Sequence, residues 1–94
     1  MFTITVNETG VIVLTGRFDA AQTERAREVF NRLNESAVVD MHHLDYISSA
    51  GLGVLLATQQ RLARSGKGIT LVHMNKMIRE VFKIARFDLI FKIE

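Results

Sequence analysis

Six consecutive residues, Ser48-Ser49-Ala50-Gly51-Leu52-Gly53, carry the chemistry most open to use in this chain. They lie between a β-branched apolar run and a stretch with helical apolar spacing, which places a serine hydroxyl at the start of a helix. Such a hydroxyl is exposed, and its small neighbours leave room for another protein's active site. A phosphate added there would face free backbone N–H groups and the positive end of the helix dipole. A serine in this place also serves as an ordinary N-cap, so capping and modification are both open for Ser49. Gly51 and Gly53 each lower helix propensity by roughly 1 kcal/mol relative to alanine. Close approach of a partner or tight packing on a sheet would account for them. They do not make a nucleotide loop, because the third glycine, the phosphate-binding lysine and the ribose-binding acid are missing.

A second group, Asp40-Met41-His42-His43-Leu44-Asp45, brings together two histidines and two carboxylates, the side chains of a metal site or an acid–base pair. Adjacent histidines on an extended loop are expected to point in different directions, and no His-x-x-x-His spacing completes a ligand set. The expectation is therefore surface or structural histidines, with no metal, no cofactor and no catalytic residue. His73 is expected to be packed or capped at a strand end, and Met41, Met74 and Met77 to fill the core.

The elements that must position these residues can be followed in order. Phe2-Ile4-Val6 alternates, Asn7-Glu8-Thr9-Gly10 supplies turn chemistry and Val11-Ile12-Val13-Leu14 resumes the apolar pattern, which together predict a β-hairpin. Asp19 stands three residues before Gln22 in a capping-box-like arrangement. Ala26, Val29, Phe30 and Leu33 then fall at helical spacing, predicting a first helix over about residues 20–35. Ala37-Val38-Val39-Asp40-Met41 suits a buried central strand. Ser49 is expected to cap a second helix carrying Leu52, Leu55, Leu56, Leu62 and Ala63, which ends at Ser65-Gly66-Lys67-Gly68. A strand over Ile69-Thr70-Leu71-Val72-His73 follows. A third helix is capped by Asn75 and carries Ile78, Val81, Phe82 and Ala85, and Leu89-Ile90-Phe91 forms a last strand. The order β-β-α-β-α-β-α-β predicts a single α/β domain over 1–94, a mixed, largely parallel sheet with helices packed on it.

Composition narrows the function. With 94 residues there is one core and little room for an internal active site, so no enzymatic activity is expected. Hydrophobic residues at 48% and charged residues at 23% indicate a folded chain. The absence of cysteine excludes disulfides, thiolate metal sites and thiol nucleophiles. A net charge of +2, with basic residues scattered and no aromatic interleaving, gives no support to nucleic-acid binding. Met1 to Val6 lacks the features of a signal peptide and no apolar run reaches the roughly 20 residues of a spanning helix, so a cytoplasmic protein without membrane contact is expected.

Three motifs in sequence resemble the STAS domain, and most closely the stand-alone anti-sigma-factor antagonists of bacteria. Leu14-Thr15-Gly16-Arg17-Phe18-Asp19 is similar to the family's second strand, ending in an aspartate before the first helix. Val38-Val39-Asp40-Met41 through Leu44-Asp45-Tyr46-Ile47 is similar to its central strand and following loop. Ser49-Ala50-Gly51-Leu52-Gly53-Val54-Leu55-Leu56 is similar to its phosphorylation loop and second helix. In many antagonists that loop reads Asp-Ser-(Ser/Thr)-Gly-Leu-Gly, with phosphate on the first serine. Anchoring on Gly51-Leu52-Gly53 puts Ser49 at the acceptor position, with Ser48 in place of the aspartate and Ala50 in place of the second hydroxyl residue. Ser48 stands as the alternative acceptor.

The resemblance implies partner switching. The unmodified protein would bind a serine kinase that doubles as an anti-sigma factor, through Asp19, Ser48, Ser49, Ala50, Gly51, Leu52 and Gly53. Phosphorylation of Ser49 would release it, and a serine phosphatase would reset it. Asp19 keeps two roles open, helix N-cap and partner contact. The alternative from the same fold is a non-phosphorylated STAS structural subunit of a lipid-transport complex or signalling scaffold. Whether the domain is a monomer or a dimer is left open by the sequence.

Overall fold

The computed structural model describes residues 1–94. Strands β1 (Phe2–Val6) and β2 (Ile12–Phe18) form the opening hairpin, followed by helix α1 (Thr23–Phe30), strand β3 (Ala37–Ile47) and helix α2 (Ser49–Ala63). Strand β4 (Ile69–Val72), helix α3 (Lys76–Ile84) and strand β5 (Lys92–Ile93) complete the chain. The strands lie side by side in the order β1-β2-β3-β4-β5, with β1 antiparallel to β2 and every other pair parallel. This is the expected element order and sheet type.

The hairpin forms where the sequence placed it because Asn7 organises the turn. Its Oδ1 accepts from Thr9 N at 2.9 Å and Val11 N at 3.0 Å, while Gly10 takes φ +83°, a conformation open to glycine at little steric penalty. At Gly16 the φ is +88°, and an added Cβ would collide with the Met1 carbonyl oxygen.

Each crossover from β2 to β5 steps the same way across the sheet, so right-handed connections put all three helices on one face. Burial agrees. Ile12, Leu14, Phe18, Val39, Met41, Leu44, Ile69 and Leu71 point into the core beneath Phe30, Leu55 and Phe82 of the helices. The opposite face, with Val13, Thr15, Val38, Asp40 and Thr70, is only partly covered.

Strand β3 departs from the expectation. It runs on through Ile47 instead of ending near Met41, and it is bulged twice. Val13 pairs with Asp40 but Thr15 with His43, and Gly16 pairs with Leu44 but Arg17 with Tyr46, so β3 twice uses one residue more than β2. A regular strand alternates faces. Here the inward residues Met41, Leu44 and Ile47 are three apart, and the pairs His42-His43 and Asp45-Tyr46 are exposed.

Three other boundaries differ. Residues Ala20–Gln22 form a 3-10 turn and α1 ends at Phe30, with Leu33 beyond it and partly buried. The guanidinium of Arg61 on α2 donates to the Phe30 and Leu33 carbonyls at 2.8 Å each, and so satisfies acceptors that a longer helix would have used itself. Strand β4 stops at Val72, because His73 takes φ +60° and turns out of the sheet. The last strand is Lys92–Ile93, not Leu89-Ile90-Phe91. Arg86 at φ +62° ends α3, and Phe87 and Phe91 gather on Phe82 with ring centres 6.3 and 5.8 Å from it, leaving Leu89 and Ile90 exposed.

Candidate functional site

The six-residue segment sits at the carboxyl ends of the parallel strands, where open α/β sheets present their binding crevices. Strand β3 delivers it. Ser48 N donates to Phe18 O at 2.9 Å, tying the ends of β3 and β2 together. Ser48 is extended at φ −85°, ψ 168°, and its Oγ accepts from Gly51 N at 3.1 Å.

Ser48 is therefore the N-cap of α2, which corrects the expectation that Ser49 caps it. Ser49 becomes the first helical residue, exposed and outside the capping bond. The two serines divide between them the roles that the sequence left on one.

The two glycines divide as well. A Cβ on Gly51 would lie 3.0 Å from Ile47 Cγ1 and 3.1 Å from both Phe18 Cγ and Phe18 O, so Gly51 lets the helix start sit down on the sheet. A Cβ on Gly53 would meet nothing within 4 Å. Packing explains the first glycine and leaves the second without an internal reason. Leu52 is buried and Ala50 half-buried, so the solvent-facing part of the segment is Ser49 and Gly53.

Asp19 follows Phe18 and so lies beside the start of α2, where the 3-10 turn touches that helix. Its Oδ1 accepts from Ala21 N at 3.2 Å, a cap of the turn. Gln22 makes no reciprocal capping bond, so the capping box suggested by the spacing is not formed.

One exposed apolar edge, on α3, was not expected from the sequence. Met41 and Met74 are buried as expected, but Met77 is 69% exposed and Ile84 80% exposed. At 100° per residue Met77, Val81 and Ile84 share one edge of α3, while Arg79 and Lys83 lie on the other, beside Ile93 of β5. The apolar edge thus lies on the side of α3 away from β5, with Met77 and Ile84 open to solvent. The signal in the sequence was the surplus of apolar residues on α3, more than one core-facing stripe requires.

On the uncovered sheet face, the expectation for the histidines needs correction. His42 and His43 lie on a bulged strand, not a loop, and both are exposed with ring centres 4.5 Å apart. His73 Nδ1 lies 3.2 Å from Asp40 Oδ1, which also accepts from His42 N at 2.9 Å. Burial works to raise the pKa of Asp40, but the His42 N–H and the His73 ring together outweigh it and hold the carboxyl below its ordinary 3.8. No three of these side chains converge on one point in this arrangement. No helix is long and apolar enough to cross a membrane.

Comparison with known proteins agrees with this geometry. The family model described as "Mlab, STAS domain" matches residues 2–92. An STAS-domain containing protein of Pseudomonas aeruginosa is 28% identical over 85 residues, covering 87% of this chain and 84% of that protein. BtrV of Bordetella bronchiseptica, which carries the name of an anti-sigma factor antagonist, is 33% identical over 82 residues, covering 87% of this chain and 70% of BtrV. The fold is that of the Bacillus anti-sigma factor antagonist SpoIIAA, whose structures in the unphosphorylated and phosphorylated forms each superpose with a TM-score of 0.71 at 16% identity. They cover all of this chain and 87% and 91% of SpoIIAA. With the motif order, the sheet topology and the family model in agreement over nearly its whole length, the chain belongs to the STAS domain family.

Proposed function

We propose that this protein is an anti-sigma-factor antagonist that works by partner switching. Unphosphorylated, it binds a serine kinase that doubles as an anti-sigma factor, through the Ser48–Gly53 segment, with Ser49 and Gly53 exposed and Asp19 at the margin. Phosphorylation of Ser49 releases it, and a serine phosphatase restores it. The observation that carries this reading is the position of Ser49, an exposed first helical residue freed from capping by Ser48. The names of the relatives and the two forms of SpoIIAA support it.

The energetics fit a switch in the complex and not in the fold. Phosphate adds about −1.5 to −2 charges at neutral pH, and a helix N-terminus favours an anion by roughly 0.3–1 kcal/mol. In a desolvated interface the same charge is unpaired and opposes binding by several kcal/mol, while about 5.5 kcal/mol reverses a 99:1 equilibrium. A second reading, a constitutive STAS subunit of a lipid-transport complex or signalling scaffold, uses the same surface. It is favoured by Ser48 standing where the resembling antagonists carry an acid.

The test is intact mass and peptide mapping after incubation with ATP and a serine kinase/anti-sigma factor that binds the protein, on wild type and Ser49→Ala. One phosphate, lost in Ser49→Ala, supports the switch. No phosphate with an active kinase turns the assignment to the constitutive subunit, and phosphate retained in Ser49→Ala moves the acceptor to Ser48.

A further inference from the structure

We propose that β1 is a pairing edge for a second copy of this chain, joined antiparallel about Ile4 so that the two sheets become one. Strand β1 ends the sheet on one side and β5 on the other, and the sequence treats the two edges differently. Edges left free in solution are kept short, charged, bulged or broken by proline. Strand β5 meets that description, with two residues, the first of them Lys92, whose ammonium lies 3.3 Å from the Glu94 carboxylate. Strand β1 does not. It runs for five residues, Phe2-Thr3-Ile4-Thr5-Val6, without charge or proline and in unbroken register with β2. All five are aromatic or β-branched, the types that favour strands.

The bonds to β2 fix which backbone groups of β1 are free. Asn7 N donates to Val11 O at 2.9 Å and Arg17 N to Met1 O at 2.8 Å, so the hydrogen-bonded pairs with β2 fall on the odd-numbered residues of β1. The N–H and C=O groups of Phe2, Ile4 and Val6 therefore point away from the sheet. Arg25 agrees with this, its Nη1 donating to Phe2 O at 3.2 Å, and that carbonyl keeps a second lone pair. The free groups are self-complementary. With the two Ile4 residues opposite each other, they exchange both their bonds, and Phe2 of each copy exchanges bonds with Val6 of the other, the isologous pattern of a twofold dimer. The side chains fit the same register. Phe2, Ile4 and Val6 share the helix-bearing face, where Phe2 and Ile4 are buried but Val6 is 56% exposed. Pairing sets Val6 beside Phe2 of the second copy, with Cβ atoms about 5 Å apart, and Thr3 beside Thr5 on the open face. It also carries Glu8 two residues beyond Val6, roughly 7 Å along the strand, towards the end where Arg25 of the other copy stands at Phe2. The junction thus meets with opposite charges at both of its ends.

The experiment is sedimentation equilibrium from micromolar to millimolar protein, with amide hydrogen exchange at both ends of that range. The expected result is a monomer–dimer equilibrium in which the Ile4 and Val6 amides exchange more slowly in the dimer, while Thr3 and Thr5, bonded within the hairpin at every concentration, are unchanged. Val6→Lys sets an ammonium against Phe2 of the other copy and should weaken dimerisation by about tenfold or more, in a monomer that stays folded because the position is exposed. Glu8→Arg and Arg25→Glu should each weaken it, and the two together should restore it. Monomer mass throughout, up to millimolar protein, would overturn the proposal and leave the edge to a strand of another protein. So would a dimer whose Ile4 and Val6 amides exchange as fast as in the monomer, or one that Val6→Lys leaves as strong. Ser49 is untouched in every variant, so the partner-switching reading stands or falls separately.

Discussion

Gly53→Ala separates the needs of the fold from those of the partner. Gly53 is the fifth residue of α2, well inside the helix, where glycine is less favourable than alanine by about 0.8–1.0 kcal/mol. A Cβ there meets nothing within 4 Å, so no packing penalty opposes the gain. A domain of this size shifts its Tm by about 4–8 °C per kcal/mol, so Gly53→Ala should melt about 3–8 °C higher than wild type. The neighbouring Gly51→Ala should do the reverse. Its Cβ would press to 3.1 Å on Phe18 O, a carbonyl held by Ser48 N at 2.9 Å. Overpacking of about 1–3 kcal/mol then outweighs the propensity gain, for a net loss of up to about 2 kcal/mol. The assay pairs thermal and urea denaturation with titration against the proposed kinase/anti-sigma partner. If Gly53 exists to let that partner's backbone approach, Gly53→Ala is the more stable protein and the weaker binder. Unchanged affinity would refute close approach as the reason for this glycine, and a lowered Tm would refute the open geometry around it.

Three further outcomes follow from contacts elsewhere. Ser48→Ala removes the cap on Gly51 N and should lower stability by about 1 kcal/mol, whereas Ser49→Ala should stay within about 0.5 kcal/mol of wild type; equal losses in urea titrations would place the cap elsewhere. Arg61→Ala leaves Leu33 O without its side-chain donor and Phe30 O with the Leu33 N–H alone, and should lose about 1.5–3 kcal/mol in the same assay. Arg61→Lys should recover only part of this, since a lysine cannot reproduce the two-pronged contact. Asp40→Asn tests the acid limb: a carboxyl held below 3.8 in the fold stabilises above its unfolded pKa, and that contribution is lost as pH falls through the folded value. The stability gap between wild type and Asp40→Asn should therefore close in urea titrations carried down from neutral pH to below the ordinary aspartate range, and a gap independent of pH would count against the pairing.

The parts of this fold that the sequence revealed are those with regular periods. Alternation along Phe2-Ile4 and Ile12-Leu14 matches the observed inward residues, and the helical spacing of Ile78 and Phe82 matches the buried face of α3. What escaped was irregular. The two bulges give β3 an inward spacing of three, so that His42-His43 and Asp45-Tyr46 read as loop although they continue the strand. That single misreading propagated. With β3 ending early, the start of α2 has no anchor and Ser49 is the expected cap; once β3 runs to Ile47 and Ser48 N bonds Phe18 O, the cap falls on Ser48. The last strand is two residues long and is fixed by the packing of Phe82, Phe87 and Phe91, a tertiary effect with no local period.

The shift of the cap by one residue bears on how a switch of the proposed kind can work at all. If the modified serine also held the helix, each phosphorylation would remove an acceptor from Gly51 N, and the change in binding would be entangled with a change in stability. With Ser48 as the cap, the bond to Gly51 N does not involve the Ser49 hydroxyl, and a phosphate at the first helical position remains in solvent at the favourable end of the dipole. The same logic accounts for the glycines, one given to packing and the other left open. Fold and exposed surface thus draw on different residues of the same helix start: Ser48 and Gly51 face inward to the sheet, Ser49 and Gly53 outward to solvent. In the proposed switch, a charge added to the outward set would act on the complex while the domain itself stays folded.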